Sequence, residues 1–448
     1  MDFNAFKQIV IAECEALGIA EYELYYQAGS STSVDTFQHS INEFSASYSG
    51  GVCFRCIVGG KMGYASTEAM NAEQAKAVVL KAMDNALNLE SEEQVFLGEG
   101  GQEYEPMEDK SYALPTTEEL IAKVLETTEK LYAADPMAVD GCQTQGIIET
   151  SETAIYNSKG LDLHTQMTAS GLIAVGVVSN GKEMSNDYQI KLGKLDEIDT
   201  DELVAKAVDG AKIKLGGEVA PTGQYPVAFH PEAMRSLLAV FSSIFSSEAA
   251  QKGLSKLAGR EGEIIASPIV TLVDDPFHPE NPMPRNFDAE GSPTHKKNVI
   301  EQGRLNTLLY NLKTAAVAGK KTTGNASKGG YDAPVGLRPF TMYLENGDMT
   351  EEELLAKANE GVYITDLSGL HAGANAISGD FSLQSAGFMI HGGKKCEYVK
   401  SFTVAGNFYD LLKNIVALAN NCQLPSATGS TAFGSPTVLV EGLSIAGK

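Results

Sequence analysis

An amphipathic helix is encoded by Asn71-Ala-Glu-Gln-Ala-Lys-Ala-Val-Val-Leu-Lys-Ala-Met-Asp-Asn-Ala-Leu-Asn-Leu89. Asn71 is a suitable N-cap, and Gln74 follows three residues later, as in a capping box. Apolar residues then recur with the helical period, at Ala75, Val78, Val79, Ala82 and Met83. Strand-like segments precede this helix between residues 22 and 66, and another amphipathic helix precedes them. The chain is therefore predicted to begin with a helix, several strands and a helix.

The same order of elements recurs after Pro115. Thr116 is predicted to begin a helix, and Glu118 and Glu119 in its first turn favour the helix dipole. Strand-like segments at residues 146–156 and 172–178 then lead to a helix at about residues 201–214. This pattern predicts two related α+β units, residues 1–105 and 106–220, with an acidic linker at residues 91–111.

A different texture begins at Gly223, with short apolar runs separated by Gly, Asn and Asp turns. It predicts a sheet-rich C-terminal domain over residues 221–448. One helix there is clearly signalled, because Thr350 and Glu353 have the spacing of a capping box. The predicted fold class is α+β, with N-terminal α/β units that repeat a helix-strands-helix pattern and a sheet-rich domain after them.

The composition is that of a folded protein, with 43% apolar and 21% charged residues. Neither a signal peptide nor a run of eighteen apolar residues is present, so we expect a cytoplasmic protein without a membrane segment. Asp and Glu total 58 against 34 Lys and Arg, a formal net charge of −24. Because such a surface repels phosphate backbones, direct binding of nucleic acid is not expected.

The six cysteines do not form the dense framework of a small secreted domain, so reduced thiols are expected. Cys53 and Cys56 form a Cys-x-x-Cys motif, but they lie in Gly51-Val-Cys-Phe-Arg-Cys-Ile-Val58, which is typical of a strand. Residues i and i+3 of a strand face opposite sides of the sheet. One metal ion or one disulfide is therefore not expected to join these two cysteines.

No self-contained catalytic motif is visible in the chain. Its seven histidines include no His-Glu-x-x-His pair, and Gly-x-Ser-x-Gly is absent. Three C-terminal stretches nevertheless combine glycine with polar residues, as expected where a chain lines a groove: residues 274–291, 322–325 and 368–382. Asx turns and helix caps would explain any single Asp or Asn equally well.

These stretches carry a family resemblance. Five motifs in this order resemble the C-terminal domain of the TldD/PmbA family: Asp274-Asp-Pro, Phe287-Asp-x-Glu-Gly, Thr323-Gly-Asn, Gly369-x-His-x-Gly-x-Asn and Ser378-Gly-Asp-Phe-Ser. Gly434-Ser-Pro-Thr and Gly63-Tyr-Ala-Ser-Thr67 extend the resemblance over nearly the whole chain. By this resemblance the residues expected to line a peptide groove are Asp288, Glu290, Gly291, Thr323, Asn325, His371, Asn375, Gly379, Asp380 and Ser382.

The sequence departs from the family's active branch at the metal site. TldD-type members carry His-Glu-x-x-x-His on a helix and a distant cysteine, which together hold zinc. Matching the prolines places that frame here on Ser236-Leu-Leu-Ala-Val-Phe241, in which Leu237 and Phe241 cannot ligate a metal. The resemblance places Cys422 near the position of the metal cysteine, where it is expected to be a buried thiol. His230 is expected to sit at the start of the helix. No cofactor is expected in this chain, and the pattern resembles the PmbA/TldE branch.

The resemblance implies a non-catalytic subunit of a metalloprotease complex. A TldD-like subunit would supply zinc and the catalytic glutamate, and the complex would process unfolded peptides; a homodimer is possible when the chain is isolated. An extended peptide could then add to a sheet edge of this subunit.

Two alternatives belong to other classes. One is a regulatory binding protein acting on a DNA gyrase or toxin–antitoxin pathway without proteolysis of its own, as the family's older label suggests. The other is an independent hydrolase using His371 with Asp380 or Asp288, for which no nucleophile motif is present.

Overall fold

The computed structural model describes residues 1–107, 112–281, 283–424 and 431–448. Residues 108–111, the end of the predicted linker, lie outside this description. Within these ranges, every helix is too short or too polar to cross a membrane.

The N-terminal half is built on one antiparallel sheet of six strands. They are β1 Glu21–Phe37, β2 Ser40–Val58, β3 Lys61–Thr67, β4 Gln143–Asn157, β5 Asp162–Ser179 and β6 Met184–Leu192. Their order across the sheet is β3-β2-β1-β4-β5-β6. The helices of this half are α1 Phe3–Leu17, α2 Ala72–Asn88, α3 Thr117–Ala134 and α4 Thr200–Ile213.

The two predicted units are the two halves of this sheet. Each contributes three consecutive strands and two helices, which confirms the repeated helix-strands-helix pattern. The halves meet where β1 pairs with β4, from Glu23 opposite Asn157 to Asp35 opposite Gln145. The sheet is thus continuous across the two units, and the predicted boundaries between domains stay a prediction.

Local signals begin the helices where the sequence predicts. The side chain of Asn71 accepts a hydrogen bond from the Gln74 amide, and Thr116 and Glu119 form a full capping box. Thr350 and Glu353 form another at the start of a C-terminal helix. These caps satisfy amides that the first helical turn leaves without partners.

The C-terminal domain contains fourteen described strands, most of them short. They are β7 Glu218–Val219, β8 Gly223–Phe229, β9 Leu272–Asp274, β10 Lys297–Glu301, β11 Arg304–Leu305, β12 Ala326–Ser327, β13 Gly336–Leu337, β14 Thr341–Leu344, β15 Gly361–Ser368, β16 Asp380–His391, β17 Lys394–Asn407, β18 Ile415–Leu418, β19 Ala432–Gly434 and β20 Val438–Ala446. Its helices are α5 Pro231–Phe241, α6 Ser247–Gln251, α7 Leu312–Ala318, α8 Glu351–Ala358, α9 Leu370–Gly373 and α10 Phe408–Lys413, with a 3₁₀ turn at Ser242–Phe245. The predicted sheet-rich domain is confirmed.

Two sheets frame this domain. The larger has the order β18-β20-β8-β15-β16-β17-β7, and β20 also pairs with β17, so that five strands close on themselves. The smaller has the order β11-β10-β9-β14-β19. Helix α5 packs its apolar side into the core of this domain, where Leu237 and Phe241 are fully buried.

The Cys-x-x-Cys pair faces two different cores, as predicted. Cys53 lies with Tyr25 and Phe287 between the sheet and the C-terminal domain. Cys56 lies on the other face with Phe6 of α1. All six cysteines are free thiols, so packing accounts for this pair.

Candidate functional site

A cleft of about 640 Å³ lies between the last strand of the N-terminal sheet and the C-terminal domain. One wall is β6 with the start of α4, and the other is the first turn of α5 with the segments around residues 280 and 423. Most of the lining is polar or charged, and it comprises Tyr188, Gln189, Ile190, Lys191, Glu197, Asp199, Glu202, Leu203, Lys206, Glu232, Arg235, Glu280, Cys422, Gln423 and Leu424.

The outer edge of β6 is an open strand edge along this cleft. Among the described residues β6 pairs with β5 and with no other strand. The Gly193 amide donates to the carbonyl of Ser170, the residue opposite it, so odd-numbered positions direct their backbone groups toward β5. Alternation in an antiparallel ladder then turns the backbone N–H and C=O groups of Tyr188 and Ile190 outward. The cleft therefore has one wall with hydrogen-bonding capacity for an extended chain.

The first turn of α5 forms the facing wall. His230 is the N-cap, and its Nδ1 accepts a hydrogen bond from the Glu232 amide at 3.2 Å, which confirms its predicted place at the start of the helix. Burial lowers the pKa of His230, so its ring stays neutral and can accept that bond. Arg235 donates to the Glu232 carboxylate at 2.9 Å, and the Tyr188 hydroxyl donates to it from β6 at 3.3 Å. Glu232 thus links both walls of the cleft.

Cys422 lines the same cleft from the C-terminal end of the chain. Its backbone amide donates to the side-chain oxygen of Asn346 at 2.8 Å, which fixes the segment. Burial, with a smaller contribution from Glu280, raises the pKa of the Cys422 thiol to about 12. The thiol is therefore protonated at neutral pH, whereas a zinc ligand must be a thiolate.

The helix positions matched to the family's metal motif do not fit a metal ion. Leu237 and Phe241 are fully buried, and the Phe241 ring stacks on Phe408 with 4.5 Å between centroids. The Ser236 hydroxyl donates to the Glu232 carbonyl at 2.9 Å, one helical turn earlier. Across the described ranges, no group of three or more His, Cys, Asp or Glu side chains is placed to hold a metal.

One set of the predicted groove residues forms a buried polar cluster away from this cleft. Asp288 accepts from the amides of Glu290, Ser292 and Ala326, each at 2.9 Å. The side chain of Asn325 donates to Asp274 at 2.7 Å and accepts from the Thr323 hydroxyl at 2.8 Å. These contacts tie together the turns that follow β9 and precede β12.

Glu290 and Gly291 lie where this cluster meets the N-terminal sheet. Glu290 accepts from the Leu312 amide at 2.8 Å, and burial together with neighbouring Asp288 raises the pKa of its carboxyl. Burial also raises the pKa of Asp288. Gly291 has φ +76°, and a Cβ there would come within 2.4 Å of Leu161, so this position requires glycine.

The other predicted groove residues lie on an exposed turn before β16. The Asn375 side chain accepts from the amides of Ile377 and Ser378, and Asn407 donates to Asp380 at 2.8 Å. Gly379 has φ +84° within this turn, and His371 and Ser382 are exposed beside it. In the described part of the chain, no hydrogen bond joins this turn to the Asp288 cluster. The structure gives both sets local partners, and their contact with a peptide stays a prediction.

Sequence reasoning missed most of the cleft lining. Tyr188, Lys191 and Arg235 come together only because β6 and α5 belong to opposite walls, and they are separated along the chain. A usable signal was the Glu232–Arg235 pair in the first turn of the helix matched to the metal motif.

Comparison with known proteins gives a consistent result. Family models match over three ranges: PmbA/TldA metallopeptidase domain 1 at residues 22–86, the central domain at 111–215 and the C-terminal domain at 222–447. A protein of Methanothermobacter thermautotrophicus named metalloprotease is 26% identical over 395 residues, covering 86% of this chain and 84% of its own.

Solved structures match the whole fold. A Thermotoga maritima protein, described as a candidate modulator of a DNA gyrase, superposes with a TM-score of 0.89 at 30% identity, covering 99% of this chain and all of that one. TldE from Thermococcus kodakarensis gives a TM-score of 0.88 at 24% identity, with 99% of this chain and all of that one covered, and shows the shared fold.

Proposed function

The chain belongs to the PmbA/TldD metallopeptidase family, and from that premise we propose that it is a subunit without a metal centre in a peptide-processing complex. A TldD-like subunit supplies the zinc and the catalytic glutamate of that complex. This chain contributes a wall of the peptide-binding space.

The observation that carries the proposal is the packing of α5. A zinc peptidase needs imidazole and carboxylate groups on one accessible face of the metal-binding helix. Here the matched positions Leu237 and Phe241 face the apolar core. The protonated thiol of Cys422 lines the cleft without two further ligands among the described residues. The helix is retained as a packing element, and its first turn supplies polar side chains to the cleft.

The cleft fits an extended peptide. Outward backbone groups at Tyr188 and Ile190 can pair with the main chain of a peptide regardless of its sequence. Glu232, Arg235 and Lys191 face the same space and can contact its side chains. Main-chain pairing explains how such a subunit accepts unfolded chains of many sequences.

The proposal is tested with the purified chain alone and mixed with a TldD-like subunit. We expect the chain alone to contain far less than one zinc ion per molecule by mass spectrometry of metals, and to leave an unfolded peptide intact. The mixture should cleave the peptide, and cleavage should stop when the metal-binding glutamate of the TldD-like subunit is replaced. Chelator-sensitive cleavage by this chain alone would overturn the proposal.

A second candidate is a regulatory binding protein that acts on DNA gyrase. The similarity to the Thermotoga maritima protein supports it. Affinity purification from the source cells separates the two functions, because recovery of a TldD-like protein favours the peptidase subunit and recovery of gyrase subunits favours the regulator.

A further inference from the structure

The N-terminal sheet has a second open edge, on β2, far from the cleft. Strand β3 pairs only with the second part of β2, from Val52 opposite Thr67 to Val58 opposite Lys61. The first part of β2, from Ser40 to Gly51, pairs with β1 on one side, and no described strand covers its other side. About ten residues of strand edge are thus exposed.

This edge lacks the features that keep strand edges from pairing. Residues 40–50 contain no proline and no lysine, and Glu43 is their only charged residue. Large apolar side chains are exposed on it: Ile41 is 41% exposed, Phe44 50% and Tyr48 74%. An exposed apolar strand edge is a template for pairing with another strand.

The direction of the backbone groups follows from the β2–β3 hairpin. Val58 and Lys61 flank a two-residue turn, Gly59-Gly60, so they form a hydrogen-bonded pair. Val58 therefore directs its backbone groups toward β3, on the outer side of β2. By alternation the same is true of Phe44, Ala46 and Tyr48, since the pairing of β2 with β1 is regular from Glu43 onward.

We propose that a second copy of this chain pairs antiparallel with this edge, about a two-fold axis at Ala46. Phe44 of each copy then lies opposite Tyr48 of the other, and Ala46 lies opposite Ala46. All three positions direct their backbone groups outward, so the pairing forms about six hydrogen bonds between the copies. The two six-stranded sheets become one.

The edge is self-complementary in this register, which is why a second copy fits it. A two-fold interface requires that if residue i meets residue j, then j also meets i. The register places two aromatic cross-strand pairs, Phe44 with Tyr48, on the same face of the sheet. Glu43 meets Ser49, so the two Glu43 carboxylates do not oppose each other. The inference is independent of the proposed peptidase function.

The oligomeric state of the purified full chain tests this surface. We expect a dimer by sedimentation velocity, and we expect Phe44→Lys with Tyr48→Lys to raise the dimer dissociation constant at least tenfold. Both side chains are exposed, so the variant should keep its melting temperature. Val317→Lys, at a side chain 67% exposed on α7, is the matched control and should remain dimeric. A monomeric parent chain, or a double variant as dimeric as the parent, would overturn the proposal.

A single cysteine tests the register. Ala46→Cys is made with Cys396→Ser and Cys422→Ser, which remove the two native thiols that are not buried. Mild oxidation should link two copies through residue 46, because directly opposite residues of a hydrogen-bonded pair lie about 5.5 Å apart. Lys182→Cys, in the exposed turn before β6, should give no linked dimer in the same background. Linkage at residue 182 and not at residue 46 would contradict the proposed pairing.

Discussion

The Lys214 ammonium lies 2.9 Å from the Asp187 carboxylate, just beyond the end of α4. Asp187 belongs to β6, and the same ammonium also contacts Asp366 of β15 at 3.0 Å. One side chain thus joins the cleft's strand wall to the C-terminal sheet. The two carboxylates raise the pKa of Lys214, so it is charged throughout the physiological range.

Replacing Lys214 should loosen this joint. We expect Lys214→Met to lower the free energy of unfolding by about 1 kcal/mol, because two carboxylates lose a shared, half-buried partner. Lys252→Met is the control, since Lys252 contacts Glu248 on an exposed helix surface, and it should cost at most about 0.5 kcal/mol. Urea unfolding of both variants measures the difference. Equal losses would show that the Lys214 contacts carry no special weight.

Restoring the metal motif on α5 should fail. Leu237→Glu would place a carboxylate where no water reaches, at a cost of several kcal/mol. Phe241→Ala should cost about 3–5 kcal/mol through the cavity left beside Phe408. Ser236→Ala, on the partly exposed side of the same helix, should cost less than about 1 kcal/mol. Thermal unfolding ranks the three, and a stable Leu237→Glu variant would contradict the burial of this face.

Backbone pairing along β6 can be separated from its side chains. Ile190→Pro removes an outward N–H that bonds no other strand, so the sheet should tolerate it, as edge strands tolerate proline. Peptide binding should fall at least tenfold, while Ile190→Ala should leave it within about twofold. Fluorescence anisotropy with an unfolded peptide and the assembled complex measures both. If both variants bind equally well, the peptide does not pair with β6.

Asp288 and Glu290 should make stability depend on pH. Their carboxyl pKa values are raised in the folded chain, so they resist losing protons that the unfolded chain releases near its ordinary pKa. Stability from this pair should be present at pH 4 and fall as the pH rises through 5 to 7. Glu290→Gln keeps an acceptor for the Leu312 amide and should flatten the fall, by on the order of 1–2 kcal/mol. Unfolding at pH 5 and pH 8 compares the two, and parallel curves would assign the dependence to other groups.

Local patterns predicted the local structure well. The caps at Asn71, Thr116 and Thr350 involve residues three apart, and the opposite faces of Cys53 and Cys56 follow from strand alternation alone. Helix α5 could likewise be recognised as buried because Leu237 and Phe241 lie one turn apart on the same face.

Long-range pairing could not be predicted from those signals. The β1–β4 ladder joins residues more than a hundred positions apart, so two predicted units share one sheet. The cleft likewise depends on Tyr188 meeting Glu232 across a wall that no periodicity indicates. Asp288 and Asp380 were grouped by composition, yet the structure gives them separate sets of hydrogen-bond partners.

The continuity of the N-terminal sheet sets an angle between its two open margins. Four strand-to-strand steps separate β2 from β6, through β1, β4 and β5. Each step rotates the strand direction by about 20–25°, so the two margins are turned relative to each other by about 80–100°. A peptide lying along β6 therefore runs nearly crosswise to the strands of a copy docked on β2, and one chain can hold both at once without either obstructing the other.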